Sequence, residues 1–117
     1  MDDLQQLGAA ALARPAAQPA VEFEKQWITW GEMRRVAERL GASLEASGAG
    51  RGAKIAFIAR NRPSALAALL GMIARRCTVR MIYPFQSPEA SARDIDRIEP
   101  GAVVAAGEHD SEAALAV

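Results

Sequence analysis

The side chains with the greatest chemical capacity in this 117-residue chain are few and scattered. His109 is its one histidine and lies between Glu108 and Asp110. A histidine beside two acids could relay protons or hold a metal. Adjacent residues rarely converge on one ion, so the segment reads as a solvated, charged tail. Cys77, the one cysteine, lacks a histidine partner to activate it. Its place at a helix-to-strand junction suits a small buried apolar residue. Gly48, Gly50 and Gly52 invite comparison with a phosphate loop, but such a loop follows a strand and opens a helix. These glycines follow a helix and open a strand, and read as a connecting turn.

The charged run Arg93, Asp94, Asp96, Arg97 and Glu99 contains carboxylates that could act as an acid/base pair. On a helix they fall opposite Ala92, Ile95 and Ile98 and form alternating surface charge. Arg75, Arg76 and Arg80 are the densest basic group, without the interleaved aromatics that a stacked nucleotide would need. Trp27 and Trp30 fit ribbon-to-helix packing better than a ligand platform. No catalytic, cofactor-binding or metal-ligating residue is therefore assigned.

The elements that would position these groups follow from periodicity. Leu4, Leu7, Ala11 and Leu12 have helical spacing, ahead of a breaker segment at Arg14 to Pro19. Val21 and Phe23, then Trp27 to Trp30, flank a turn at Glu24 to Gln26 and predict a short antiparallel ribbon. Thr29 and Glu32 form a capping box, with Ile28 and Met33 at the staple positions. The helix that follows carries Met33, Val36, Ala37, Leu40 and Leu44 on one face and ends near Ser47, punctuated by Gly48.

Ala53 to Ala59 is continuously apolar at its centre, as suits a strand covered on both faces. Pro63 opens a second helix with a stripe of Leu66, Leu69, Leu70 and Ile73. Thr78 to Tyr83 is a second strand, stopped by Pro84. Ser87 and Pro88 start a third helix carried by Ala92, Ile95 and Ile98, and Ala102 to Ala106 is a third strand. Three apolar strands alternating with helices predict two right-handed crossover units. The fold class is α/β, a doubly wound and mainly parallel three-stranded sheet with flanking helices, plus a short N-terminal antiparallel hairpin.

Composition narrows the partners. Fourteen basic residues balance fourteen acidic ones, so no global field favours nucleic acid or an anionic membrane. One cysteine fits a reducing compartment, no apolar run approaches the roughly 20 residues of a membrane span, and the acidic N-terminus is unlike a signal peptide. The expectation is a cytoplasmic protein, and the excess of arginine over lysine suggests a GC-rich bacterial gene.

The ordered series of motifs resembles a known family. Ile28, Thr29, Trp30, Gly31, Glu32 and Met33, then Ala37, Leu40 and Leu44, look like the entry of acyl-CoA synthetases and adenylation domains into their first large helix. Gly50 to Ile58 is similar to that family's Gly-basic-Gly turn and first buried strand. Asn61, Arg62 and Pro63 resemble its Asn-x-Pro helix start, and Leu69, Leu70 and Gly71 its continuation. Pro84, Ser87, Pro88 and Glu89 look like its proline loop and next helix, and Val103 and Val104 like the strand after. The likeness covers about residues 19 to 107 and identifies an N-terminal subdomain of the adenylate-forming (ANL) superfamily, the AMP-dependent synthetases and ligases. It divides the chain into a helix and linker at 1–18, an α/β subdomain at 19–107 and a tail at 108–117.

The resemblance implies a parent enzyme that activates a carboxylic acid as an acyl-adenylate with ATP and magnesium, then passes the acyl group to CoA or a carrier thiol. The family's Ser/Thr/Gly-rich phosphate loop and catalytic lysine lie further along its chain. Thr29 and Thr78 are the only threonines here, and Arg80 interrupts what the family usually keeps as an apolar strand. No cofactor is thus expected in this chain, although ATP, magnesium and CoA are implied for the parent. The expected partner is the remainder of that enzyme or another polypeptide, and the isolated chain is expected to be inactive. The alternative is a non-catalytic interaction module, or one that self-associates as a homo-oligomer through an exposed sheet edge.

Overall fold

The computed structural model describes residues 2–105. His109, with its acidic neighbours, and Ala106, the last residue of the expected third strand, lie outside the described residues. The elements run α1 (Asp2–Leu12), β1 (Pro19–Phe23), β2 (Gln26–Thr29), α2 (Trp30–Ala46), β3 (Lys54–Ile58), α3 (Pro63–Ala74), β4 (Thr78–Ile82), α4 (Pro88–Ile98) and β5 (Ala102–Ala105). β1 and β2 form an antiparallel two-stranded ribbon, and β4, β3 and β5 form a parallel sheet in that order. The architecture is the expected α/β one, with β3 at the centre.

Local chemistry sets the helix boundaries. The Thr29 hydroxyl accepts from the Glu32 amide at 3.2 Å and caps α2. At the other end Ala49 N–H donates to the Leu44 carbonyl at 2.8 Å, while Gly48 turns the chain at φ 87°. A positive φ there costs glycine little, so the glycine cluster is the turn from α2 into β3. Pro63 occupies the first turn of α3, and the Ser87 hydroxyl caps α4 by accepting from the Ala90 amide at 3.1 Å.

Register divides the sheet into two faces. Phe57 aligns with Met81 and Val104, and Ile55 with Val79 and Ala102, so these side chains share one face. Ile55, Phe57 and Val104 join Leu40, Leu44, Ala68 and Met72 in one buried cluster, which places α2 and α3 on that face. Fully burying each large side chain contributes about 1.5–3 kcal/mol, so Phe57, Ile55 and Met72 are its principal anchors. Ala56 and Ile82 lie in the alternate rows and are also buried, on the face where α4 lies against β4.

Two expected stripes are corrected. In α3 the buried residues are Ser64, Ala65, Ala67, Ala68, Gly71 and Met72, while Leu66 is 40% exposed and Leu69, Leu70 and Ile73 are half-buried. α3 has the sheet beneath it, α2 on one side and α1 on another. Small residues mark its closest approaches and the large ones fill the flanks. In α4, Ile95 and Ile98 are half-buried as expected, but Ala92 is exposed and Ser91 takes its place on the inner side. No α4 residue is fully buried.

α1 is anchored to this body. Gln5 donates to the Ala74 carbonyl at 3.1 Å, and Arg34 of α2 reaches the carbonyls of Leu12 and Arg14. The Leu12 carbonyl is the last of α1 and has no partner within the helix, so Arg34 acts as a cap supplied from another element and also holds the turn at Arg14.

Candidate functional site

Two openings sit where the ribbon meets the first turns of α2 and α3. One cleft of about 280 Å³ has apolar walls from Phe23, Ile28, Met33 and Val36, with Glu32 and Arg62 among its polar residues. A second, of about 340 Å³, lies beyond the C-terminal end of β3 among Val21, Ala59, Asn61, Leu66 and Met81. Phe23, Arg62 and Pro63 line both, making one continuous groove. The carboxyl ends of strands at the point where strand order reverses are the usual ligand crevices of open α/β sheets. Here β3 is the reversal point, because its neighbours β4 and β5 lie on opposite sides.

The groove can hold apolar matter but contains no nucleophile beside a base. Ser64 is its one hydroxyl-bearing residue and is 9% exposed. Its Oγ is buried and without a hydrogen-bond partner, closed off from solvent rather than presented to it. This residue escaped the sequence reading. Its signal was the spacing of Ser64, Ala67, Ala68 and Gly71, a run of small residues at helical intervals.

The other chemically capable residues are dispersed. Cys77 follows α3, and burial pushes its thiol above the ordinary range, with Arg75 acting in the opposite direction. A thiol held protonated is a poor nucleophile. Arg75 is ion-paired with Glu45 of α2, whereas Arg80 is exposed on β4, so the arginine group is divided between two roles. Asp94 accepts from Gln86 at 2.9 Å and has Arg97 nearby at 3.9 Å, a surface network. No cluster of three or more histidines, cysteines or acids with metal-binding geometry occurs among the described residues.

The tryptophans separate. Trp30 is half-buried at the start of α2, with the Arg14 guanidinium 5.8 Å from its ring centroid. Trp27 is 60% exposed, a correction to the expected packing of both. It pairs with Glu22 across the ribbon, on the face opposite Val21 and Ile28.

Comparison with known proteins places this geometry. A family model for the AMP-binding enzymes matches residues 8–117. No curated protein matches the chain. The N-terminal subdomain of NpsA from Klebsiella oxytoca, solved in complex with 3-hydroxyanthranilyl-AMSN, superposes with a TM-score of 0.72 and 13% identity over 97% of this chain and 30% of that one. VinN, solved with 3-methylaspartate, gives a TM-score of 0.72 at 22% identity, covering 90% of this chain and 29% of its own. IdnL1 gives 0.66 at 17% identity, covering 92% and 25%. At such identities the likeness is one of fold, and this chain spans less than a third of each of those chains.

Proposed function

This chain belongs to the AMP-binding enzyme family, and from that membership we propose that it supplies the N-terminal wall of an AMP-forming acid:thiol ligase. The observation that carries the reading is the family match across residues 8–117, on a sheet whose order and crossovers suit that role. The parent reaction is proposed to join a carboxylate to the α-phosphate of ATP with release of pyrophosphate, and then to pass the acyl group to CoA or a carrier thiol. Magnesium belongs with the ATP.

The residues described here do not fit either group. The only glycine cluster opens a strand, the groove at the head of α3 has a closed-off serine, and no acidic cluster suits magnesium among the described residues. No step of the reaction is therefore assigned to this chain. Its proposed contribution is mechanical, presenting α1, the ribbon and the parallel sheet as a rigid support for the nucleotide-binding remainder of the enzyme. That remainder is the proposed partner. No helix among the described residues is long and apolar enough to cross a membrane, and the cytoplasm is the proposed compartment on the basis of the lone cysteine.

The test is acid-dependent exchange of labelled pyrophosphate into ATP. The purified chain is expected to give none with aromatic, aliphatic or amino acids. Exchange that co-purifies with the protein and persists at constant specific activity would overturn the assignment of a purely supporting role.

A further inference from the structure

Among the described residues β4 is an outer strand of the sheet, and its free side is apolar and cationic. Met81, Tyr83 and Phe85 are 60%, 62% and 69% exposed. Met81 in β4 and Tyr83 just past its end, two residues apart, share one side of the chain, and Phe85 follows in the bend after Pro84. The Tyr83 and Phe85 rings meet edge-on with centroids 5.8 Å apart, and the Arg60 guanidinium lies 5.4 Å from the Phe85 centroid. On the alternate side of β4, Arg80 is exposed. From Arg76 through Gln86 the sequence contains no acidic residue.

Alternate residues of an outer strand aim their amide and carbonyl groups away from the sheet, and proteins commonly protect such an edge with charge. Arg80 serves that purpose selectively. Two copies pairing through β4 would bring cationic strands together, and like charges placed opposite each other are destabilising. A strand carrying carboxylates converts the same side chain into an attraction. We propose that the open edge of β4 receives an extended, acidic segment of another polypeptide as an added strand. Its apolar side chains rest on Met81 and Tyr83, and its carboxylates face Arg80 on the alternate side. Main-chain hydrogen bonds supply affinity in this mode and alternate side chains supply selectivity, while Arg80 provides the repulsion that rejects cationic strands and self-pairing. The inference concerns the edge presented by the described residues, and its test is separate from that of the ligase reading.

The probe is a short fluorescent peptide alternating glutamate with valine, compared with its lysine–valine counterpart by anisotropy and by amide hydrogen exchange. The glutamate peptide is expected to bind the full chain about tenfold or more tightly than the lysine peptide, a difference of about 1.4 kcal/mol, and to protect the amides of Val79 to Ile82. Arg80→Glu, at an exposed position that does not threaten folding, is expected to reverse the preference. Three results would overturn the proposal: absence of binding by the glutamate peptide, equal binding of the two peptides, or protection confined to elements other than β4. Concentration-dependent protection of β4 without peptide would assign the edge to self-association instead and would equally overturn it.

Discussion

The substitution Gly71→Ala tests how closely α2 and α3 approach. On helix propensity alone, alanine should stabilise α3 by about 1 kcal/mol relative to glycine. The structure predicts the opposite sign. A Cβ at Gly71 would stand 3.0 Å from the Ala37 Cβ and 3.3 Å from the Ala37 Cα, where carbon atoms normally rest about 3.5–4.0 Å apart. Ala37 is 7% exposed and its contacting atoms belong to or adjoin the backbone, so no flexible side-chain end can yield. The helices must separate by about 0.5 Å to restore ordinary contact, loosening Met33, Leu40 and Met72 along the same interface. Overpacking of this kind costs about 1–3 kcal/mol. After the propensity gain is deducted, the expected net loss is about 1 kcal/mol, and Gly71→Val should lose about 3 kcal/mol. With a urea dependence of about 1–3 kcal/mol/M, the Gly71→Ala midpoint should fall by about 0.5 M in denaturation followed by far-ultraviolet circular dichroism. Combining it with Ala37→Gly should recover about 1 kcal/mol of coupling in a double-mutant cycle. A Gly71→Ala midpoint that rises, or a cycle with no coupling, would refute the close-contact reasoning.

Two further outcomes can be checked with little material. Glu24 and Lys25 connect β1 to β2 with φ of 51° and 66°, the left-handed pair of a two-residue hairpin turn that favours Asn-Gly; Lys25→Gly should raise the urea midpoint by about 0.5–1 kcal/mol equivalent, and a lowered midpoint would show that the Lys25 side chain contributes something glycine cannot. Because burial raises the Cys77 thiol, iodoacetamide should label native protein at neutral pH more slowly than an exposed thiol, and rapid neutral labelling would contradict its burial. The same shift fixes a sign for stability. The thiol's contribution is complete below the unfolded-state value and declines as pH climbs through the raised folded-state value.

Much of the fold was legible because local rules and tertiary structure agree. Thr29 and Glu32 marked the start of α2, Gly48 its end, Pro63 the start of α3, and Ser87 with Pro88 the start of α4. The apolar run through Ile55 and Phe57 marked a strand covered on both sides. The order of these signals also carried the family resemblance. The failures occurred where one residue has several neighbours. Leucine spacing suggested that Leu66, Leu69, Leu70 and Ile73 form the inner stripe of α3, but that helix is enclosed on three sides, so the closest contacts belong to Ala67, Ala68 and Gly71. Trp27 read as packing because aromatic residues usually are buried, yet strand alternation turns it to solvent.

The sequence by itself determined the kinds of element, their boundaries and their succession, because caps, breakers and apolar period act over a few residues and need no distant partner. It also carried the family likeness in the spacing of those signals. Only tertiary structure decided that β3 is central and β4 outermost, that Arg75 is bound to Glu45 while Arg80 faces outward, and that the groove forms between the ribbon and α3. Those outcomes depend on which surfaces meet after the chain crosses over itself, and contacts between residues far apart in sequence leave no local period to be read.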